Sequence, residues 1–260
     1  MRADLRHDGV GHLLAELLES FTHLDGRFVR SMRTLVVRPG ELTAAFLRGA
    51  RRQYLTPIQL FVVANVVYFV LQSWLGWNTL STPLQKNLDG MPYRHFARSH
   101  VESFVLRDGR TFEELAEAFD GRVGTYSKSL VILLVPIFAV GVALIARSRA
   151  RGYLPSLVFS LHFLAFFLWL QGLVLLPLAS AVRRNWSGAQ SWQDVDQLMM
   201  IPTVGSLGIY IALSLRAAFG YPKLAAVWRA LALIVVFFAS VFLYRFILFL
   251  VVLHTLPARA

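Results

Sequence analysis

The sequence predicts an all-α fold: a polytopic membrane helix bundle with about five spans, preceded by amphipathic interfacial helices. Three observations predict it. Hydrophobic residues make up 56% of the 260, where a soluble domain holds roughly 45–50%. The excess is gathered into long runs rather than scattered in short alternating or helical patterns. Basic residues, which give a formal charge of +11, crowd the ends of those runs.

A spanning helix needs about 20 mostly apolar residues, each rising ~1.5 Å. Five stretches qualify: Pro57–Gly76, Ser129–Ala146, Leu154–Val182, Leu198–Leu215 and Ala230–Leu253. The third is the longest and predicts a tilt or a kink. Pro136, Pro155, Pro177 and Pro202 fall within the spans, where neighbouring helices can satisfy the carbonyls that a proline frees.

Loop charges set the expected orientation. With the N-terminus in the cytoplasm, 15 Lys and Arg lie on the inner side and 10 on the outer side. Positive residues are retained inside, so an N-in, C-out arrangement is expected. The same charges account for the pI near 10.7 without a nucleic-acid partner. Cysteine is absent, which removes disulfides, thiolate nucleophiles and cysteine metal sites. Met1–Leu24 mixes charge with leucine and has no apolar core of a cleavable signal peptide.

Residues 1–56 form a cytoplasmic amphipathic and basic segment, and residues 57–260 a membrane domain with an outer loop at 77–128. Val10, Leu13, Leu14, Leu17, Leu18, Phe21 and Leu24 follow one helical face. After Gly26, Phe28, Met32, Leu35 and Val36 lie away from Arg30 and Arg33, until Pro39-Gly40 breaks the pattern. A short third helix then leads to Arg48, Arg51 and Arg52. These helices either lie in the anionic inner interface or pack against the protein's own bundle. In the outer loop, Thr111 followed by Glu114 is a capping-box signal for a helix through Phe119.

The chemistry is read first from an absence. All 15 Asp and Glu fall outside the five spans, which argues against a carboxylate-driven pump or intramembrane acid–base catalyst. Arg245 in the fifth span is the most unusual residue. It is either an anion site for a carboxylate, phosphate or lipid headgroup, or a side chain that snorkels to the outer headgroups about eight residues, ~12 Å, away. The Arg48, Arg51 and Arg52 cluster is a second anion- or lipid-binding candidate. His162 shares a helical face with Phe159, Phe166 and Trp169 and with no hydroxyl or carboxylate of its own span. It is a proton relay, a metal ligand (though one histidine is not a coordination set) or, more simply, a helix-bridging group, and Gln59, Asn65 and Gln171 invite that last reading. Gly205-Ser206-Leu207-Gly208 lacks the spacing of a nucleophile elbow and is assigned to packing. His95 and His100, five residues apart, are poorly placed for joint ligation from one helix. With no phosphate-binding glycine loop and no H-E-x-x-H motif, no catalytic residue, metal or cofactor is assigned.

Pro39-Gly40, followed by Gly49, Arg51, Tyr54 and Pro57, forms a PG…G-x-R-x-x-Y-x-x-P signature that resembles a bacterial integral-membrane family of unknown function, DUF3667. A second similarity is Tyr153 with the run from Leu157 to Phe166, and a weaker one lies around Tyr210 to Tyr221. The family's version of the run is similar to Y-x-x-H-L-V-F-x-L-H-F-H-x-F. Here His162 keeps the middle histidine, while Ser156 and Leu164 occupy the other two positions. Many relatives also carry an N-terminal zinc ribbon, which a chain without cysteine cannot form. The resemblance implies a multi-pass protein of the bacterial cytoplasmic membrane and no activity. The sequence therefore points to a non-enzymatic channel, transporter or lipid-binding scaffold, with anionic headgroups and a second copy of the chain as its candidate partners. The alternative is a membrane-embedded lipid-modifying enzyme.

Overall fold

The computed structural model describes residues 25–75, 80–150, 152–185 and 192–256. The amphipathic pattern of Val10–Leu24 lies outside these residues. Among the described residues every regular element is helical. The order is α1 (Asp25–Val37), α2 (Glu41–Leu47), a 3₁₀ turn (Arg51–Gln53), α3 (Pro57–Leu75), α4 (Leu84–Asp89), α5 (Arg94–Asp108) and α6 (Phe112–Leu130). A 3₁₀ turn (Val131–Leu133) leads into α7 (Leu134–Ala146) and a loop to α8 (Tyr153–Leu170). A π turn (Gln171–Leu175) joins α8 to α9 (Leu176–Asn185), and α10 (Trp192–Phe219) and α11 (Lys223–His254) follow.

Among the described residues, five helices are long and apolar enough to cross a membrane: Pro57–Leu75, Phe112–Ala146, Tyr153–Asn185, Leu198–Phe219 and Lys223–His254. The chain is an all-α, multi-pass membrane bundle. Spans two, three, four and five close a ring, and span one lies outside it against span three. Spans two and five approach closely at Gly141, where a Cβ would come within 2.1 Å of Val236 Cγ1. Gly208 likewise faces Ile234 of span five, whereas Gly205 faces open space. The centre of the ring is aromatic. Phe237 meets Phe138, Phe163 and Phe167 at centroid distances of 5.7, 5.2 and 5.0 Å.

Two interruptions of the helical ladder have the same cause. Pro136 lacks the N–H that would bond the carbonyl of Ile132, and the chain tightens to 3₁₀ over Val131–Leu133. Pro177 would leave the carbonyl of Leu173 unbonded, and the chain widens to a π turn over Gln171–Leu175. The third span is thus interrupted where its length predicted a tilt or kink. Pro155, in the first turn of α8, requires no break because those amides have no helical partner.

The second span departs from its expected start at Ser129. Its helix begins at Phe112 and runs 35 residues, about 50 Å, so its first half stands clear of a ~30 Å hydrocarbon core. The Thr111–Glu114 capping box forms with both bonds present, but the helix that it starts continues far beyond Phe119. The stripe Leu115, Phe119, Val123 and Ser127, every fourth residue, is buried. Against this post packs α4, and α5 packs on α4 and, through Phe96, on Phe246 of α11, making a cap over one end of the bundle. Leu84 N–H donates to Asp120 at 2.8 Å, and Arg122 donates to the carbonyl of Thr255 at 2.9 Å. Helix α5, too polar to register as a core element, is held through buried Ala97 and Val101.

Candidate functional site

The opposite end, where the chain enters the first span, is built from α1, α2 and the two short loops before α8 and α11. Helix α2 buries Leu42, Thr43, Ala44 and Ala45 against spans three and four. Of the two readings of this segment, packing against the protein's own bundle describes α2. Helix α1 packs with one face only: Leu35 is buried and Phe28 and Met32 are half-buried, while Val29, Val36 and Val37 are exposed beside Arg30, Arg33 and Arg38. Val36, expected on the inward face, points out.

Ser31 locks this segment together. Its hydroxyl donates to the carbonyl of Arg27 at 2.7 Å and accepts from Leu55 N–H at 2.9 Å. Arg27 reaches the carbonyl of Tyr54 at 2.7 Å. His162 of α8 lies 96% buried beneath α2 and shares a 2.9 Å hydrogen bond through Nδ1 with the hydroxyl of Thr43. The hydroxyl that its own helical face lacks comes from a residue 119 positions away. His162 also lines a cavity of about 20 Å³ with Leu42, Phe46, Tyr54, Leu55 and Thr56, room for one water molecule. Thr43→Val is expected to destabilise the protein by roughly 1–3 kcal/mol, because it strands a buried imidazole nitrogen. Adding His162→Leu should recover part of that loss, and unfolding midpoints of the two variants in the same detergent would measure it.

The arginine cluster before the first span is described in part. Arg48 is engaged by Glu41 at 2.6 Å, Arg52 is exposed, and the side chain of Arg51 lies outside the described residues. A second basic group, invisible in the sequence, gathers around Tyr221. The Arg149 and Arg229 guanidinium carbons lie 5.4 and 4.4 Å from its ring centroid. The phenol donates to the carbonyl of Ala146 at 3.0 Å and meets Ser148 at 2.8 Å. The distance in sequence between Arg149, in the loop before α8, and Arg229, on α11, hid this pairing, since the charges themselves are plain in the sequence.

Arg245 belongs to the other half of the bundle. It is half-buried on α11, close enough for its charge to act on the phenols of Tyr93 and Tyr244. Tyr93, at the start of α5, packs on Phe246 and Phe249 at 5.0 and 6.3 Å and donates to Asn87 at 2.7 Å. Burial pushes the Tyr93 phenol up to about 12, with the Arg245 charge opposing the rise. Arg245 therefore sits under the cap, far from the entry-end arginines. Asn65 is half-buried on span one, its Oδ1 without a hydrogen-bond partner among the described residues. Gln171 opens the π turn that packs on span one. The structure brings neither together with His162.

These features define a membrane bundle with a basic, partly apolar entry end and a helical cap. Residues 25–69 match the family model described as Protein of unknown function (DUF3667). No curated protein and no solved structure matches the chain. The matched segment covers α1, α2, the 3₁₀ turn and most of span one, so it takes in the PG…Y-x-x-P signature and stops short of the run around His162.

Proposed function

We propose that the chain is a non-enzymatic lipid-binding scaffold of the bacterial cytoplasmic membrane, its N-terminus cytoplasmic, whose entry end holds anionic headgroups. The carrying observation is the outer face of α1. Val29, Val36 and Val37 are exposed there alongside Arg30, Arg33 and Arg38, an arrangement suited to valines in the acyl boundary and guanidiniums at phosphates. Arg52, Arg147, Arg149, Arg216 and Lys223 are exposed at the same end, where Glu41 is the one carboxylate side chain among the described residues. The aromatic packing of the ring interior supports a scaffold over a channel, because a conducting path would need a polar lumen in place of the Phe138–Phe163–Phe237 contacts. Arg245 is a second headgroup contact on the far leaflet in this reading.

Each basic residue at an anionic surface contributes about 1 kcal/mol. Arg30→Gln, Arg33→Gln and Arg38→Gln combined should thus weaken binding of phosphatidylglycerol about 100-fold. Native mass spectrometry of the protein titrated with that lipid and with phosphatidylcholine would test this. Equal retention of both lipids by the wild type, or unchanged retention by the triple variant, would refute the reading.

A further inference from the structure

We propose that Arg149 and Arg229, gathered at Tyr221, hold the two phosphates of a cardiolipin-class lipid. The proposal rests on the headgroup-binding reading above, but it names a separate place on the entry end and a narrower ligand. Tyr221 is buried in the loop between α10 and α11, and its hydroxyl is tied to Ala146 and Ser148. Both guanidiniums rest on this fixed ring, so their carbons are no more than about 10 Å apart. Each is also tethered through one nitrogen. Arg149 Nη1 donates to the carbonyl of Gly220 at 2.9 Å, and Arg229 Nη1 to the carbonyl of Ala225 at 3.2 Å. One engaged nitrogen orients the planar fork and leaves further N–H donors for a ligand.

The charge calls for an anion. Neither arginine is paired with a carboxylate among the described residues, and Arg147, Arg216 and Lys223 are exposed around them. The ring face of Tyr221 attracts both cations but supplies no negative charge. Two phosphates joined by one glycerol are themselves a spaced pair, so each can take its own guanidinium without the two forks meeting at one atom. Basic sites between spanning helices at the inner leaflet suit such headgroups. Depth selects a lipid over a soluble anion. Arg229 directly precedes the apolar run Ala230–Leu253, which sets it at headgroup level. Leu144, Leu224, Trp228 and Leu231 are exposed on the neighbouring turns of α7 and α11, and an exposed tryptophan marks the boundary between headgroups and acyl chains. A free phosphate would leave that apolar surface unused, whereas the chains of a lipid cover it.

Full-length protein in detergent is titrated with an equimolar mixture of cardiolipin and phosphatidylglycerol and read by native mass spectrometry. The wild type should retain cardiolipin in preference. That preference should fall about 30-fold when Arg149→Gln and Arg229→Gln are combined, at ~1 kcal/mol for each charge. Arg149→Gln alone, at an exposed position that leaves Arg229 on the ring, should lower it about 5-fold. The combined Arg30, Arg33 and Arg38 variant should keep the preference, which separates failure of this site from failure of the α1 reading. Equal retention of the two lipids by the wild type, or an unchanged preference in the double variant, would overturn the proposal. So would displacement of cardiolipin by equimolar inorganic pyrophosphate, which would mark the ligand as a soluble anion.

Discussion

Gly40→Ala is expected to cost about 2–5 kcal/mol, enough to unfold much of the population of a marginally stable bundle. Two effects add. The residue has φ of +85°, a conformation that side-chain-bearing residues resist. A Cβ there would also lie 2.6 Å from both Cα and O of Ser214, backbone atoms of α10 that cannot rotate away. Gly49 provides the internal control. Its φ is nearly the same, +86°, yet nothing lies within 4 Å of the position its Cβ would take. Gly49→Ala should therefore lose only the backbone strain, about 1–2 kcal/mol. Thermal unfolding of both variants in one detergent would separate the effects, and equal losses would sink the argument from close approach. Pro39-Gly40 is thus a contact as well as a turn, since it lets α2 lie directly on span four.

Phe237→Ala should produce the second large loss, about 3 kcal/mol. The usual range for emptying a phenylalanine site is ~3–5 kcal/mol. The lower end applies because acyl chains are as apolar as the bundle interior, so little transfer energy is forfeited. What disappears is contact with three rings from spans two and three and the closure of the void that they would surround. Phe238, the half-buried neighbour on the same helix, is the comparison: its alanine variant should cost under about 1 kcal/mol. Denaturant midpoints of the pair would decide, and a similar loss from both would mean that the ring centre is not the stability core.

The spans were legible because a bilayer demands a long apolar run whatever the neighbours are. Where the code is pairwise, legibility ended. The early start of the second span was masked by Glu113, Glu114, Glu117 and Asp120, which lower the hydropathy of a helix whose buried stripe recurs every fourth residue. His162 stands out in the sequence, but its partner Thr43 does not until α2 folds over α8. His95 is the neighbour of His100 in sequence, whereas its neighbour in space is His254. Pro136 and Pro177 were visible as disturbances, but which way each turn would relax, tighter or wider, depends on packing that one chain's pattern does not encode.

The peripheral position of span one has a consequence for how the protein is made. A nascent chain delivers Leu75 to the bilayer some 80 residues before Tyr153 starts the helix it rests on. At ~5–20 residues per second that interval is roughly 4–16 s. During it the first helix stands alone in lipid, its Val62, Val66 and Val70 already suited to that surrounding, but Leu60, Phe61, Ala64 and Tyr68 await the partner that will cover them. Assembly is therefore obliged to wait on translation, and the segment shared with the family model is the part that waits longest.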